Sequence, residues 1–250
     1  MAKLASLLKI EGTLDGMTFY KGPDGEILVK KKSGVSKNRI ANDPAFIRTR
    51  ENGREFGHVA ACGKSFRRAL NSVLYDVKDR SKTARLTQAL AKVKNQDTIS
   101  IRGERKVHLG IQTQEAKDSL RYFDFNKNAP LTTVLKEAYV LDTVNAEIGI
   151  PQFNPKRNLG IPQGATHVEI SAAHLKFDFE TGEGELVKSN IENIFIEDTE
   201  NPVTLSFATN PSGPGNDYYL MKVVFYQTLN NTLYPLNNGI YNALQLIEIV

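Results

Sequence analysis

The chain has 250 residues, 40% of them hydrophobic and 24% charged, with a formal net charge of +4 and no tryptophan. No run approaches the roughly 20 apolar residues of a membrane span, and the single cysteine, Cys62, excludes an intrachain disulfide. The small net charge hides a division, because residues 1–110 hold 23 Lys and Arg against 11 Asp and Glu, whereas residues 111–250 hold 9 against 17.

Such asymmetry points to an acidic partner, either a polyanion or another copy of the chain. Packing of the two halves on each other within one chain is the third possibility. The start, Met1 to Ile10, is a poor secretory signal: its apolar part is short and Lys9 interrupts it. Cytoplasmic synthesis without a cleaved signal peptide is expected, with release as part of a particle or filament compatible with the single cysteine.

The first 41 residues read as short strands. Leu7 to Leu14 meets an Asp15-Gly16 turn and then Met17 to Tyr20. A second turn, Gly22-Pro-Asp-Gly25, leads to Ile27-Leu-Val29 and the cations Lys30, Lys31 and Lys32. Asp-Gly between apolar runs signals a hairpin, since the turn needs positive φ. The result is a three-strand meander with little core of its own.

Residues 42–95 read as helical. Asn42-Asp43-Pro44 supplies a capping side chain and a first-turn proline. At 100° per residue, Phe56, Val59, Gly63, Phe66, Leu70, Val73 and Val77 share one face. Arg50, Arg54, Gly57, Ala61, Lys64 and Arg68 share the other. Gly53, Gly57 and Gly63 weaken this helix, by about 1 kcal/mol each relative to Ala. They imply either a close backbone approach or a break near Gly53 or Gly57. A second helix is predicted over Ser81–Lys94, with Leu86, Leu90 and Val93 buried.

From Thr98 onward the pattern is of strands. Thr98 to Ile101 and Lys106 to Leu109 flank Arg102-Gly-Glu-Arg105, and 113–121 is a short helix or irregular segment. Further strands are predicted at 139–141, 166–179, 191–197, 203–207, 218–227, 232–235 and 240–250. In the second of these, Val168 and Ile170 have one parity and Leu175, Phe177 and Phe179 the other. The switch at Ala172-Ala173 predicts a β-bulge, with His174 in a structural role beside it. Gly149-Ile-Pro-Gln152, repeated at 160–163, reads as two loop pieces, and 210–217 as a long polar surface loop.

Motifs for chemistry are sparse. The histidines His58, His108, His167 and His174 make no HxH or HExxH spacing, so no metal centre is implied. No GxSxG, GxxxxGK[ST] or GxGxxG motif occurs, and no cofactor follows from the sequence. Cys62 reads as a small buried hydrophobe. The clearest signal is the basic stripe Arg50, Arg54, Lys64 and Arg68, preceded by Lys30, Lys31, Lys32, Lys37 and Arg39. Such a stripe is an electrostatic footprint for nucleic acid. It lacks interleaved exposed aromatics for base stacking, and Glu51 and Glu55 stand beside its first two arginines.

The segments 37–52, 11–20 and 100–105 together resemble a family of small uncharacterised Bacteroidota proteins. The resemblance is best in the N-terminal half. It implies a bacterial or phage source and carries no activity.

These readings combine into an α+β, mainly β chain with two parts. A basic hairpin and helical region spans 1–97, and an antiparallel β-sandwich body, Ig-like or jelly-roll-like, spans 98–250. The expected function is structural and non-enzymatic: self-assembly into a homo-oligomer, filament, sheath or virion component, with the basic residues as subunit contacts. The alternatives are a nucleic-acid-binding module on the basic helix face and a carbohydrate-binding sandwich using loop ends such as 210–217.

Overall fold

The computed structural model describes residues 2–3, 10–31 and 34–250. The chain divides into two compact units, Met1–Glu51 and Asn52–Val250.

The first unit holds strands β1 (Ala2–Lys3), β2 (Gly12–Leu14), β3 (Met17–Lys21) and β4 (Ile27–Lys31). They form an antiparallel sheet in the order β1-β4-β3-β2. The β2–β3 turn has φ of +46° at Asp15 and +74° at Gly16. That is the paired positive φ which made Asp-Gly a hairpin signal. Residues 7–9 of the predicted first strand lie outside the described residues. After the sheet, Ser36 caps helix α1 (Lys37–Asn42), which lies partly in the segment read as strands. Asp43 then caps a 3-10 turn, Pro44–Phe46, by accepting from the Ala45 N–H at 2.9 Å. The long helix α2 (Ile47–Ala69) follows directly. Among the described residues of this unit, Phe19 and Ile27 are the buried hydrophobics, so its own core is small.

In the second unit α2 continues unbroken past Gly53 and Gly57, where a Cβ would meet nothing within 4 Å. At Gly63 such a Cβ would make ordinary contact with the Leu90 side chain at 3.5 Å, so neither a break nor a close backbone approach accounts for these glycines. Helices α3 (Asn71–Leu74), α4 (Lys82–Asn95), α5 (Val107–Gly110), α6 (Gln114–Leu120) and α7 (Leu131–Val134) come next. Strands β5 (Val140–Asp142) and β6 (Glu147–Ile150) precede a short helix α8 (Pro155–Asn158). The remaining strands are β7 (His167–Phe177), β8 (Gly184–Phe195), β9 (Val203–Ser206), β10 (Asn216–Leu229), β11 (Thr232–Pro235) and β12 (Ala243–Ile249).

Strands β11, β10, β7 and β8 are ordered neighbours in a five-stranded sheet, and β12 also pairs with β10. A separate sheet has the order β5-β6-β9. All pairings are antiparallel. The predicted bulge is present, as the β7–β8 register shifts between Ser171 and Ala173. The bulge and the strand period divide β7 between two cores. Val168, Ile170 and Ala172 join Ile148, Ile150, Val203 and Leu205 of the small sheet. Ala173, Leu175 and Phe177 join Val59 and Phe66 of α2, Leu70 just after it, and Leu86, Leu90 and Val93 of α4. The five-stranded sheet is thus covered by helices on one face and by the small sheet on the other. At the β8 edge, Asn190 donates to the Thr204 carbonyl at 3.0 Å and accepts from the Ser206 N–H at 2.8 Å, which ties β8 to β9.

The chain is therefore α+β, with helix and strand in nearly equal shares rather than mainly β. The expected boundary near residue 97 has members of one core on both of its sides, Leu90 and Leu175 among them. Residues 98–101 and 106–109 are not strands. Asp97 gathers the N–H groups of Ile99, Ser100 and Lys106 at 3.0, 3.0 and 2.8 Å and closes them into a loop. Val107 then opens a helix. Ile99 and Ile101, whose alternation suggested a strand, stand 81% and 71% exposed. Phe56, predicted on the buried face of α2, is 66% exposed.

Candidate polyanion and subunit contact surface

The basic residues singled out from the sequence fall into three groups. The first lies in the Met1–Glu51 unit. Lys30 and Lys31 close β4, with the Lys30 ammonium 5.1 Å from the Tyr20 ring centroid. Lys32 lies outside the described residues. Lys37 is exposed at the first position of α1. Arg39 pairs with Asp43 at 2.9 Å and lies 5.6 Å over the Phe46 ring.

The second group is Arg50 alone. Its Nη1 donates to the carbonyls of Ile40 and Asp43 at 2.7 and 3.0 Å. Those carbonyls belong to the end of α1 and its cap: that of Ile40 has no backbone donor among the described residues, as at a helix end, and that of Asp43 also accepts from the Phe46 N–H of the 3-10 turn at 3.1 Å. Arg50 therefore holds the α1–α2 corner together and is not part of an exposed cationic stripe.

The third group is Arg54, Lys64 and Arg68. All three are exposed on α2, and among the described residues none makes a hydrogen bond or ion pair. Their acidic neighbour Glu55 does not offset them, because it points inward. It is 4% exposed, pairs with Lys94 of α4, and accepts from the Gly103 N–H at 2.7 Å. Burial alone would raise the Glu55 carboxyl, but Arg105, Lys94 and Gly103 together bring it down to about 2. The loop after α4 is fixed from both ends in this way, by Asp97 and by Glu55. It frames a cleft of 640 Å³ lined by Arg54, His58, Ile99, Ile101, Arg105 and Lys106.

Inside this cleft the His58 Nε2 accepts from the Val107 N–H at 3.0 Å, so its proton sits on Nδ1. The Cys62 sulfur lies 3.6 Å from that Nε2. Burial pushes the thiol up to about 11, and burial together with Lys106 holds the imidazole below its ordinary value. Both groups are neutral at pH 7. The pair lacks the thiolate–imidazolium character of a reactive cysteine and packs as a small buried contact.

His174 also has a buried structural place. Its Nε2 lies 2.8 Å from Asp217, and its ring stacks on Tyr219 at 4.2 Å with Phe207 edge-on at 5.8 Å. Burial outweighs the Asp217 carboxylate and keeps this imidazole below its ordinary value. Beside the 210–217 loop, Tyr218 and Tyr219 are buried. They present no aromatic platform for a sugar there. Among the described residues no group of three or more His, Cys, Asp or Glu is placed to hold a metal ion. No helix among them is long and apolar enough to cross a membrane.

The charge division has a structural address. Residues 1–51 carry 10 Lys and Arg against 6 Asp and Glu, residues 52–110 carry 13 against 5, and residues 111–250 carry 9 against 17. The helices of 52–110 lie against the five-stranded sheet built by the acidic stretch. Much of the asymmetry is therefore arranged across one body, with a basic helical side and an acidic strand side. A further set of cations lies outside the stripe: Lys78 and Arg80, ahead of α4, and Lys82, its first residue, stand around a second cleft with Lys127. Three cations at alternate positions in 78–82 were the available signal. No family model, curated protein or solved structure matches the chain.

Proposed function

We propose that this protein is a non-enzymatic structural component that assembles with copies of itself, head to tail, into an oligomer or a polymer such as a filament, sheath or virion part. The observation that carries this reading is the N-terminal unit. It is compact, yet Ile10, Leu14, Met17, Val35 and Ile47 are all more than a third exposed. Its sheet ends in β2, whose three residues are all exposed. An edge of that kind is a template for pairing with another chain. The occupant we assign is the acidic strand side of a second copy, by charge complementarity: this unit has an excess of Lys and Arg, and residues 111–250 hold 17 Asp and Glu against 9 Lys and Arg. The two sheets that share a core support reading the strand-rich part as an antiparallel sandwich. A contact between unlike surfaces is heterologous, and it closes into a ring or runs on as a filament.

The test is light scattering coupled to sizing chromatography, across concentration and salt, with negative-stain micrographs of the same samples. Oligomers or fibres that weaken at high salt are expected. A 27.8 kDa monomer under every condition would sink the proposal.

A second reading rests on Arg54, Lys64 and Arg68, three unpaired cations on one helix. A nucleic acid bound there would lose affinity steeply with salt, with a slope near −0.9 per phosphate neutralised. Anisotropy titration of labelled DNA and RNA at low salt tests it, and no binding removes it.

A further inference from the structure

The cleft beside the start of α4 is a different kind of site from any docking surface. It has a volume of 720 Å³, within the range of small-molecule pockets. Lys78, Arg80, Lys82 and Lys127 line it, with the half-exposed Ile240 as its apolar wall. Its one acidic residue, Asp79, is already spent. Asp79 Oδ1 accepts from the Ser81 N–H and hydroxyl at 2.6 and 2.7 Å, and Oδ2 accepts from Arg85 at 2.7 Å and from the Lys127 N–H at 3.1 Å. Burial would raise this carboxyl, but those donors hold it far below the usual carboxylate range. The carboxylate therefore works as a clasp that brings 79–81, α4 and Lys127 to the same rim.

The cations around it outnumber Asp79 four to one. Lys82 donates to the Val77 carbonyl at 2.9 Å and Lys78 to the Tyr75 carbonyl at 3.2 Å, so both are held in place by neutral groups. The Lys82 ammonium is disfavoured first by burial and then by the like charges of Lys78 and Arg67, which outweigh the favourable charge of Asp79. Arg80 and Lys127 make no side-chain hydrogen bond or ion pair among the described residues. The first turn of α4 has no acidic residue and no side-chain cap, because the Ser81 hydroxyl is turned to Asp79. Its N–H groups add partial positive charge to the same end.

We propose that this cleft binds a compact organic polyphosphate, such as a nucleoside diphosphate, with its phosphates among Arg80, Lys127, Lys78 and Lys82 and its apolar portion against Ile240. Four cations around a single carboxylate, which Arg85 already pairs, are relieved by an anion carrying more than one negative charge, and the cleft's size suits a nucleotide better than a polymer backbone.

Isothermal titration of the full chain with pyrophosphate and with ADP, in separate arms, tests this. The controls are sodium sulfate at matched ionic strength and a single-stranded oligonucleotide. Saturable binding of both phosphates is expected, tighter for ADP, and weakened about tenfold for each of Arg80→Gln and Lys127→Gln, the loss for one such contact. Arg80 and Lys127 have no side-chain partners to lose, so these variants keep the fold, which thermal melts check. The proposal is overturned if neither phosphate binds at millimolar concentration, if sulfate or the oligonucleotide competes as well as ADP, or if the two variants bind as the unaltered chain does.

Discussion

Arg105 meets the Glu55 carboxylate edge to edge, with Nε 2.8 Å from Oε1 and Nη2 3.0 Å from Oε2, although the two residues are 50 apart in sequence. The same carboxylate holds Lys94 of α4, which is itself buried. Removing the carboxylate would leave an ammonium buried without its counter-charge. Glu55→Gln is therefore expected to destabilise the body by about 3–5 kcal/mol, read as a lower urea midpoint with an unchanged slope. A loss below about 1 kcal/mol would mean that water reaches Lys94 freely.

Two glycines should respond oppositely to alanine. Gly57 is helical and open, so Gly57→Ala should stabilise α2 by up to about 1 kcal/mol. At Gly110 a Cβ would sit 2.1 Å from the Val93 carbonyl oxygen, so Gly110→Ala must push α5 from α4. A lower melting temperature is expected there, and the two melts measured side by side check both signs.

Acid should act in two steps. His58 and His174 are held below their ordinary 6.5. The unfolded chain then takes up protons first, so their contribution is complete above 6.5 and is lost as pH falls through the folded-state values. Glu55 and Asp97 are held at about 2, against ordinary values of 4.5 and 3.8. Their contribution is complete above those ordinary values and disappears as pH falls towards 2. Urea midpoints from pH 8 to pH 3 should show both falls. Flat stability between pH 7 and pH 5 would contradict neutral buried imidazoles. His174→Asn should reduce the first fall and leave the second.

Arg50→Ala should not behave like a loss from a binding face. The Ile40 carbonyl loses its donor and that of Asp43 keeps only the Phe46 N–H, at a local cost of about 1–3 kcal/mol, visible as faster amide exchange across residues 37–46. Nucleic-acid affinity and its salt slope should stay put for Arg50→Ala, whereas Arg54→Ala and Arg68→Ala reduce both if the second reading holds.

Local chemistry was the legible part of this chain. Asp15-Gly16 announced its hairpin because few residues tolerate paired positive φ, and Leu86, Leu90 and Val93 announced α4 by spacing alone. The parity change at Ala172-Ala173 foretold the bulge, although not that it would split β7 between two cores. Long-range pairing defeated the reading elsewhere. Ile99 and Ile101 alternate as a strand would, but Asp97 captures three backbone donors and closes the segment into a loop. Arg50 reads as one of a stripe, and only the folded corner shows its guanidinium turned onto carbonyls. The cations at 78–82 became a site only when Asp79 drew Lys127 to them from 48 residues away.

The helical core closes with strand β12, whose Leu244, Leu246 and Ile249 pack with Val59 and Phe66 of α2. Contacts of such sequence separation are slow to form. During synthesis α2 and α4 emerge long before the strand that completes their core, with their apolar faces uncovered. The body must then acquire its native state late, as a unit, after residue 249 has left the ribosome. Arrested chains of graded length should stay protease-sensitive throughout residues 52–250 until β12 is free, and a protected fragment at shorter lengths would show an order of assembly that this shared core forbids.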